Sequence, residues 1–223
     1  MTTDRAWFVT GTDTGIGKTH VSCALLRGSA ARGLRAAAMK PVAAGADRVD
    51  GRWLNEDTAR LMAAANVDAP VELVTPYCLS EPIAPHVAAR EAGVEIDFGV
   101  LQKAFDALRA RCDRLFVEGA GGLLVPTGPD RDFADLAAAL GLPVILVVGM
   151  RLGCINHALL TTLAIRERGL TLAGWVANRV DPHMLRFEDN LETLRARIDA
   201  PLIAVVGHGE DAVIDIDQAL AER

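Results

Sequence analysis

The sequence lacks any apolar run long enough to cross a membrane and any basic tail. Its most apolar run, residues 142–148 (LPVILVV), is far shorter than the roughly 20 residues that a membrane-spanning helix needs. The formal net charge of −6 argues against a general nucleic-acid-binding protein. The acidic C-terminal residues 211–223 have no basic amphipathic face. We therefore expect a soluble protein with neither a membrane nor a nucleic acid as partner.

Paired cysteines, linkers and repeats are missing as well. The four cysteines are far apart and form neither a C-x-x-C pair nor a zinc-binding spacing, so we expect reduced thiols and a cytoplasmic location. We expect no removable leader, because a glycine-rich motif begins near residue 11. Since 51% of the 223 residues are apolar and no linker interrupts them, we expect a single domain over residues 1–223.

What the sequence does contain is an alternation of short apolar runs and amphipathic stretches. The runs are apolar at successive positions, as strands buried on both faces are, and lie at 6–10, 36–39, 115–117, 144–149, 172–177 and 202–206. The intervening patterns predict helices at 21–32, 55–65, 97–111, 134–140, 157–168 and 185–198. In the third of these, capped by Asp97, the apolar face consists of Val100, Leu101, Ala104, Phe105 and Leu108. Residues 76–85, with three prolines, predict a loop, which is either functional or a plain surface excursion. This rhythm predicts an α/β fold with a doubly wound, mostly parallel sheet and helices on both faces.

The most informative segment is residues 11–19, which read GTDTGIGKT. It lies between an apolar run and an amphipathic stretch, and so predicts the strand, loop and helix of a P-loop nucleotide-binding site. Glycines let backbone N–H groups approach phosphate oxygens closely, Lys18 can reach the terminal phosphates, and Thr19 can ligate Mg²⁺. Thr12 stands where the first glycine of the usual G-x-x-x-x-G-K-[ST] spacing would be, one residue after Gly11.

Two charged residues follow predicted strands, at the edge where doubly wound sheets bind ligands. Lys40 follows the second apolar run, as a site residue or as a solvated lysine at a strand end. Glu118 follows the third, where P-loop enzymes place a carboxylate that holds Mg²⁺. The glycine-rich residues 119–122 after it permit a close approach to a ligand.

Three further positions have a functional and a purely structural interpretation. Asp57 is either a metal ligand or compensates the dipole of the helix that it opens. Asn178, at a strand end, either reads a nucleobase edge or belongs to a turn. Residues 153–156 lead into a helix whose N–H groups could hold a carboxylate, unless Asn156 is an ordinary N-cap.

With these residues in view, the sequence resembles the dethiobiotin synthetase family. The similar segments run in the family's order from about residue 6 to 206 and are 9–19, 40–42, 81–86, 117–122, 152–157 and 174–178. The resemblance implies an ATP- and Mg²⁺-dependent homodimer that acts on 7,8-diaminopelargonic acid. In that reaction CO₂ adds to one amine to give a carbamate, and the γ-phosphate of ATP phosphorylates the carbamate. The second amine then attacks the mixed anhydride, which closes a ureido ring and releases phosphate.

The resemblance also implies a role for each matching residue. Lys18 would act on the phosphates and Lys40 on the carbamate and the transferred phosphoryl group, while Thr19, Asp57 and Glu118 would hold Mg²⁺. Nucleotide contacts are implied for Thr14, Gly15, Ile16, Gly17, Lys18, Thr19, Asp57, Glu118, Gly119, Ala120, Gly121, Asn178, Arg179, Gly207, His208 and Gly209. Substrate contacts are implied for Thr12, Lys40, Ala44, Gly121 and, from the partner subunit, Gly153, Cys154 and Asn156.

The chain departs from the family's usual residues at three of these places. Ala44 stands where a hydroxyl side chain is common near the substrate, and Arg179 where an acidic residue is common. Residues 207–209 read GHG in place of the usual Pro-Trp-Leu-like segment. The second and third departures lie where the nucleobase is expected.

Two other classes of P-loop protein are alternatives. Partitioning and cell-division switch ATPases dimerise on ATP, but they usually carry an extra lysine early in the loop, where Thr12 and Asp13 stand. They also need a basic or amphipathic tail. Amidotransferase-type synthetases of cobalamin assembly need an added glutaminase domain, for which we expect no space in 223 residues.

Overall fold

A computed structural model describes residues 6–49 and 51–221. Strands and helices alternate along these ranges. In chain order the elements are β1 (Ala6–Gly11), α1 (Lys18–Ala31), β2 (Ala36–Met39), β3 (Val42–Ala44), β4 (Ala46–Val49), β5 (Arg52–Asn55), α2 (Glu56–Ala64), α3 (Val71–Val74), β6 (Tyr77–Leu79), α4 (Pro85–Glu91), α5 (Phe98–Arg109), β7 (Arg114–Glu118), α6 (Phe133–Ala139), β8 (Val144–Gly149), α7 (Cys154–Glu167), β9 (Leu172–Asn178), α8 (Phe187–Arg197), β10 (Leu202–Val206) and α9 (Ile216–Ala221).

The main sheet has six strands in the order β10-β9-β8-β1-β7-β2, and every neighbouring pair is parallel. These six strands coincide with the six predicted apolar runs. β1 lies inside the sheet and is buried at every position, because it is covered on both faces. The chain forms two further small sheets: β3 pairs with β6 in parallel, and β4 pairs with β5 as an antiparallel hairpin.

Side chains of successive strand residues pack against helices on opposite faces of the sheet. Trp7 and Val9 of β1 belong to a core with α1, α2 and α9, whereas Phe8 belongs to a core with α5 and α6. On the Phe8 face, Leu146 and Trp175 pack in a third cluster with α7 and α8. The predicted doubly wound architecture is therefore confirmed.

Several local predictions need correction. Segment 76–85 is not a loop throughout, because β6 pairs with β3 inside it. α7 begins at Cys154, three residues before the predicted start, since Gly153 caps it with a φ of 95°. Val100 was predicted on the buried apolar face of α5 but is 42% exposed. It lies at the edge of the apolar stripe, whose middle is formed by Leu101 and Leu108. Among the described residues, no helix combines the length and apolarity needed to cross a membrane.

The parallel arrangement has one consequence for the site. β1, β2, β7 and β9 all point the same way, so their carboxyl ends open on one edge of the sheet. The loop before α1 follows β1, Lys40 follows β2, Glu118 ends β7 and Asn178 ends β9. Residues from four distant parts of the chain thus meet at this edge.

Candidate active site

The loop at residues 12–17 joins β1 to α1 and is held from two sides. Thr12 accepts a hydrogen bond through Oγ1 from the Gly149 N–H at 3.2 Å. Asn178 donates through Nδ2 to the Ile16 carbonyl at 2.7 Å. Gly17 caps α1 in the left-handed region with a φ of 82°, and any Cβ there would collide with the Asn178 amide. The loop shape therefore depends both on glycine at 17 and on the end of β9.

Glu118 is the centre of the polar cluster behind this loop. Its side chain is completely buried, yet each carboxylate oxygen has a partner. Oε1 accepts from the Thr19 hydroxyl at 2.8 Å and from the Lys40 ammonium at 2.6 Å, while Oε2 accepts from the Ser22 hydroxyl at 2.7 Å. These bonds are required, because a buried charge without partners is strongly unfavourable.

Lys40 is buried between two acids. Its ammonium lies 2.6 Å from Glu118 and 3.2 Å from Asp57, and it also donates to the Gly119 carbonyl at 3.3 Å. Burial by itself would lower the pKa of Lys40, but the two carboxylates outweigh burial and raise that pKa above its ordinary value. Partial burial would raise the pKa of Asp57, but Lys40 and the Thr19 hydroxyl lower it overall. The Lys40 ammonium and the Asp57 carboxylate therefore each stabilise the ionised form of the other.

Asp57 owes its position to the start of α2. Asn55 caps this helix by accepting the Asp57 N–H through Oδ1 at 3.0 Å. The amide of Asn55 also donates to the carbonyls of Ala44 and Gly45 at 3.2 and 2.9 Å, which ties α2 to the β3–β4 turn. One side chain thus fixes both the helix that presents Asp57 and the strand end that carries Ala44.

Lys18 differs from Lys40 in its electrostatic surroundings. Burial, followed by the neighbouring Lys40 cation, lowers the pKa of Lys18 from 10.5 to about 8. The ammonium donates to the Asp13 carbonyl at 2.9 Å, within its own loop. A lysine with this pKa and no carboxylate hydrogen bond among the described residues is suited to gain an anionic ligand.

One cleft of about 720 Å³ joins ten of the 22 predicted site residues. It is lined by the phosphate-loop residues, by Lys40 and Asp57, by residues 82–85 of the proline-rich segment, and by Ala120 and Gly121. The predicted residues that line it are Thr14, Gly15, Gly17, Lys18, Thr19, Lys40, Ala44, Asp57, Ala120 and Gly121. Ile16 and Glu118 are buried behind the cleft, and Gly119 contributes its carbonyl to Lys40.

The residues expected near the nucleobase form a separate group at the ends of β9 and β10. Arg179 donates its backbone N–H to the Val206 carbonyl, and its own carbonyl lies 3.2 Å from His208 Nδ1. The Arg179 guanidinium stacks on Phe187 at 4.9 Å. Gly207 donates to the Glu210 carboxylate at 2.6 Å, and Gly209 has a φ of 67° in the turn that follows. Asn178 connects this group to the loop through Ile16.

Residues 153–156 lie outside the 720 Å³ cleft. Gly153 and Asn156 are exposed, while the Cys154 side chain is buried and its N–H donates to the Arg151 carbonyl. Leu152, directly before them, is 94% exposed. Within this subunit the structure therefore does not bring the segment together with Lys40 and Glu118.

Sequence reasoning missed two residues of the cluster, Ser22 and Asn55. Ser22 follows Thr19 by three positions in a predicted helix, a spacing that places both on one helix face. Asn55 stands directly before Glu56 and Asp57, as an N-cap should. Both signals were present in the sequence, but neither shows by itself which partner the side chain contacts.

The fold and this site define a P-loop nucleotide-binding protein. Two solved structures share the fold: a MinC:MinD cell division protein complex from Aquifex aeolicus and a ParA family ATPase from Chlorobium tepidum TLS. The first has a TM-score of 0.57 at 14% identity over 92% of this chain and 82% of that one. The second has a TM-score of 0.57 at 14% identity over 97% of this chain and 89% of that one. At such low identity the likeness establishes the fold alone.

Sequence comparison is more specific. A family model described as an AAA domain matches residues 5–213. The ATP-dependent dethiobiotin synthetase BioD of Aromatoleum aromaticum is 62% identical over 208 residues, which are 93% of this chain and 92% of that protein. The chain belongs to the dethiobiotin synthetase family.

Proposed function

We propose that this chain is an ATP-dependent cyclo-ligase that carboxylates 7,8-diaminopelargonic acid with CO₂ and closes the ureido ring of dethiobiotin, releasing ADP and phosphate. The observation that carries the proposal is the 62% identity to a dethiobiotin synthetase along nearly the whole chain. The geometry agrees with this reaction, because Lys18, Lys40 and Asp57 line one cleft beside the glycine-rich loop, and Glu118 is buried behind Lys40.

The reaction must bring two anions together, a carbamate and a triphosphate, so cations have to lie between them. Lys18, at the start of α1, would bind the phosphates together with the loop N–H groups and the helix dipole. Lys40, held by Glu118 and Asp57, would face the carbamate and the phosphoryl group in transfer. In phosphoryl transfer most of the catalysis is positioning and charge stabilisation, which fixed ammonium groups provide.

The residues around Lys40 also fit a magnesium ion. Thr19, Glu118 and Asp57 offer a hydroxyl and two carboxylates, the hard oxygen donors that Mg²⁺ prefers. The two carboxylates already converge on one cation, the Lys40 ammonium, at 2.6 and 3.2 Å. We propose Thr19, Asp57 and Glu118 as its ligands, direct or through water. When bound, Mg²⁺ would neutralise charge on the transferred phosphoryl oxygens.

We propose further that the enzyme is a homodimer whose substrate site is completed across the interface. The N-terminus of α7, residues 153–156, would hold the substrate carboxylate of the partner's site through its helix dipole and N–H groups. The exposure of Leu152, Leu160 and Leu163 beside it, at 94%, 57% and 50%, supports an interface here. Asn178, Arg179 and residues 207–209 would border the nucleobase. We also propose that residues 1–223 form one domain that works in the cytoplasm, where its four free thiols would remain reduced.

Phosphate release from ATP, measured with and without the diamine and bicarbonate, tests the function. We expect turnover to require the diamine and mass spectrometry to find dethiobiotin. A partitioning-type switch ATPase, the alternative, would ignore the diamine. An analogue with only one of the two amines is the matched control, because it lacks the second nucleophile and cannot close the ring. Diamine-independent turnover without ring product would contradict the proposal.

A further inference from the structure

Ser22 lies in the polar cluster but has no role in the function proposed above. It is fully buried in α1, and its hydroxyl donates to Glu118 Oε2 at 2.7 Å. Thr19, one helical turn earlier, donates to Oε1 of the same carboxylate at 2.8 Å. Residues three apart lie on one helix face. α1 therefore presents two hydroxyls to the two oxygens of one carboxylate.

Ser22 differs from the other buried serine of the same helix. Ser29 donates to the carbonyl of Leu25, four residues earlier, at 2.9 Å, which is the usual arrangement for serine inside a helix. The Ser22 hydroxyl instead bonds to a residue 96 positions away, at the end of β7. It is thus committed to Glu118 rather than to its own helix.

The bond from Ser22 decides how the carboxylate is oriented. Thr19 and Lys40 both contact Oε1, at 2.8 and 2.6 Å. The terminal torsion of glutamate is broad and roughly two-fold, so contacts to one oxygen leave the carboxylate plane free to turn. The hydrogen bond to Oε2 holds the second oxygen, and Oε1 is then directed at Thr19 and Lys40.

We propose that Ser22 is a positioning residue, which sets the orientation of the Glu118 carboxylate for metal binding and for the Lys40 ammonium. This inference rests on the proposed function, in which Glu118 is a magnesium ligand. Partners that orient a metal-binding side chain typically matter by about 10- to 100-fold in metal affinity or activity.

The test compares Ser22→Ala with Ser29→Ala, which removes an equally buried hydroxyl from the same helix. Calorimetry measures binding of a non-hydrolysable ATP analogue without Mg²⁺ and across a Mg²⁺ series. We expect Ser22→Ala to raise the Mg²⁺ concentration for half-maximal enhancement of binding about tenfold or more. The affinity of Ser22→Ala for the analogue without Mg²⁺ should equal that of the unaltered protein. In Ser29→Ala, both this affinity and the Mg²⁺ concentration for half-maximal enhancement should be unchanged.

No diamine enters this titration, so its outcome is separate from that of the function test. Failure of the proposed function would appear as diamine-independent turnover in the unaltered protein. If Ser22→Ala does not fold, Ser22→Cys replaces the hydroxyl by a slightly larger thiol that is a weaker donor, and it should give a smaller shift in the same direction. An unshifted Mg²⁺ midpoint in a folded Ser22 variant would overturn the inference, and so would an equal shift in Ser29→Ala.

Discussion

Lys40 carries a charge that two carboxylates of the protein hold in place. The ammonium is buried and lies against Glu118 and Asp57, and these acids raise its pKa against the opposing effect of burial. Its partners in this state are carboxylates rather than phosphates. Such a cation contributes most when new negative charge develops beside it during the reaction.

We therefore predict that Lys40→Ala lowers kcat by about 100- to 1,000-fold, the usual cost of losing one donor to developing charge. The affinity for a non-hydrolysable ATP analogue should stay within a few-fold, because the proposed site assigns binding of the resting triphosphate to Lys18 and the loop. Steady-state kinetics and calorimetry measure the two quantities. Lys103→Ala, an exposed lysine on α5, is the control for loss of a positive charge. Equal losses of turnover and affinity would contradict the assignment.

Lys18 should make nucleotide binding depend on pH. Its pKa of about 8 in the free protein, set by burial and then by Lys40, means that it loses its proton as pH rises through 8. A triphosphate favours the charged lysine, so binding above this pH must take up a proton. Affinity for the ATP analogue should then fall with rising pH, by at most about tenfold per pH unit.

Calorimetry in buffers of different ionisation heat measures this proton uptake directly. Lys18→Met should bind the analogue weakly and without the pH-dependent uptake, whereas Lys103→Met should retain both the affinity and the uptake. A pH-independent affinity between about pH 7 and 9.5 in the unaltered protein would contradict the shifted pKa of Lys18.

At the scale of elements, the two acids of the site are held in different ways. Glu118 ends a central strand and is fully buried, whereas Asp57 is the second residue of α2 with a side chain that is 40% exposed. The end of β7 is held by pairing with β1 on one side and β2 on the other. Asp57 can also have a structural role, because a negative charge at the start of a helix stabilises that helix by about 0.3–1 kcal/mol.

We predict that Glu118→Gln and Asp57→Asn both shift the Mg²⁺ dependence of turnover to higher concentration, since an amide keeps the shape but loses the charge that Mg²⁺ prefers. Glu56→Gln is the matched control, because Glu56 is exposed in the same helical turn. If Asp57 serves only the helix dipole, Asp57→Asn and Glu56→Gln will both slightly lower the melting temperature and leave the Mg²⁺ midpoint unchanged. An unshifted midpoint for Glu118→Gln would remove the metal assignment altogether.

The elements also show how far the sequence predicts this fold. The six main strands were predictable because each is a nearly uninterrupted apolar run. β1 and β8 are buried at every position, as covering on both faces requires, whereas the edge strand β10 exposes Val205. The β4–β5 hairpin was not, since β4 carries Asp47 and Arg48 and exposes three of its four residues. β6 is three residues long, too short for any periodic pattern.

In the candidate site, too, some features could be predicted from the sequence and others could not. Lys40 and Glu118 could be predicted, because parallel strands must bring their carboxyl ends to one edge. That Lys40 contacts both Glu118 and Asp57 at once could not be predicted, since it depends on how α2 sits against β2. The partner of Ser22 depends likewise on the rotation of α1 about its axis. Sequence patterns give the face of an element, whereas tertiary packing decides which side chain meets it.

At the scale of the whole molecule, one surface is left without a partner in the described part of the chain. α7 buries only Cys154, Ala158 and Ile165 among its 14 residues, although its sequence is largely apolar. Leu160 and Leu163 face solvent, and Leu152 projects beside the helix start. In the homodimer proposed above, a second copy of the chain would cover these leucines, and its residues 153–156 would complete the neighbouring cleft.

This arrangement predicts complementation between two inactive variants. Asn156→Asp keeps a good residue at a helix start but places a negative charge where the substrate carboxylate should bind, so the Asn156→Asp homodimer should turn over poorly. Lys40→Ala is defective in the other half of the site. In a mixed dimer one site collects both substitutions and the other collects neither. Random exchange of subunits between the two variants should restore about a quarter of the original turnover. Half of the dimers are then mixed, and one of the two sites in each mixed dimer is intact.

The control mixture combines Lys40→Ala with Lys18→Ala. Both substitutions lie in the half of the site that one subunit supplies, so every site in the mixed dimer keeps one defect and no turnover should return. Phosphate release in the presence of the diamine, followed after the subunits have exchanged, measures both mixtures. Recovery in the control would mean that Lys18 and Lys40 of one site come from different subunits, against the single cleft that they line here. Exchange without recovery in the first mixture would mean that residues 153–156 do not complete the partner's site, and the substrate carboxylate would then have to be held by groups of its own subunit.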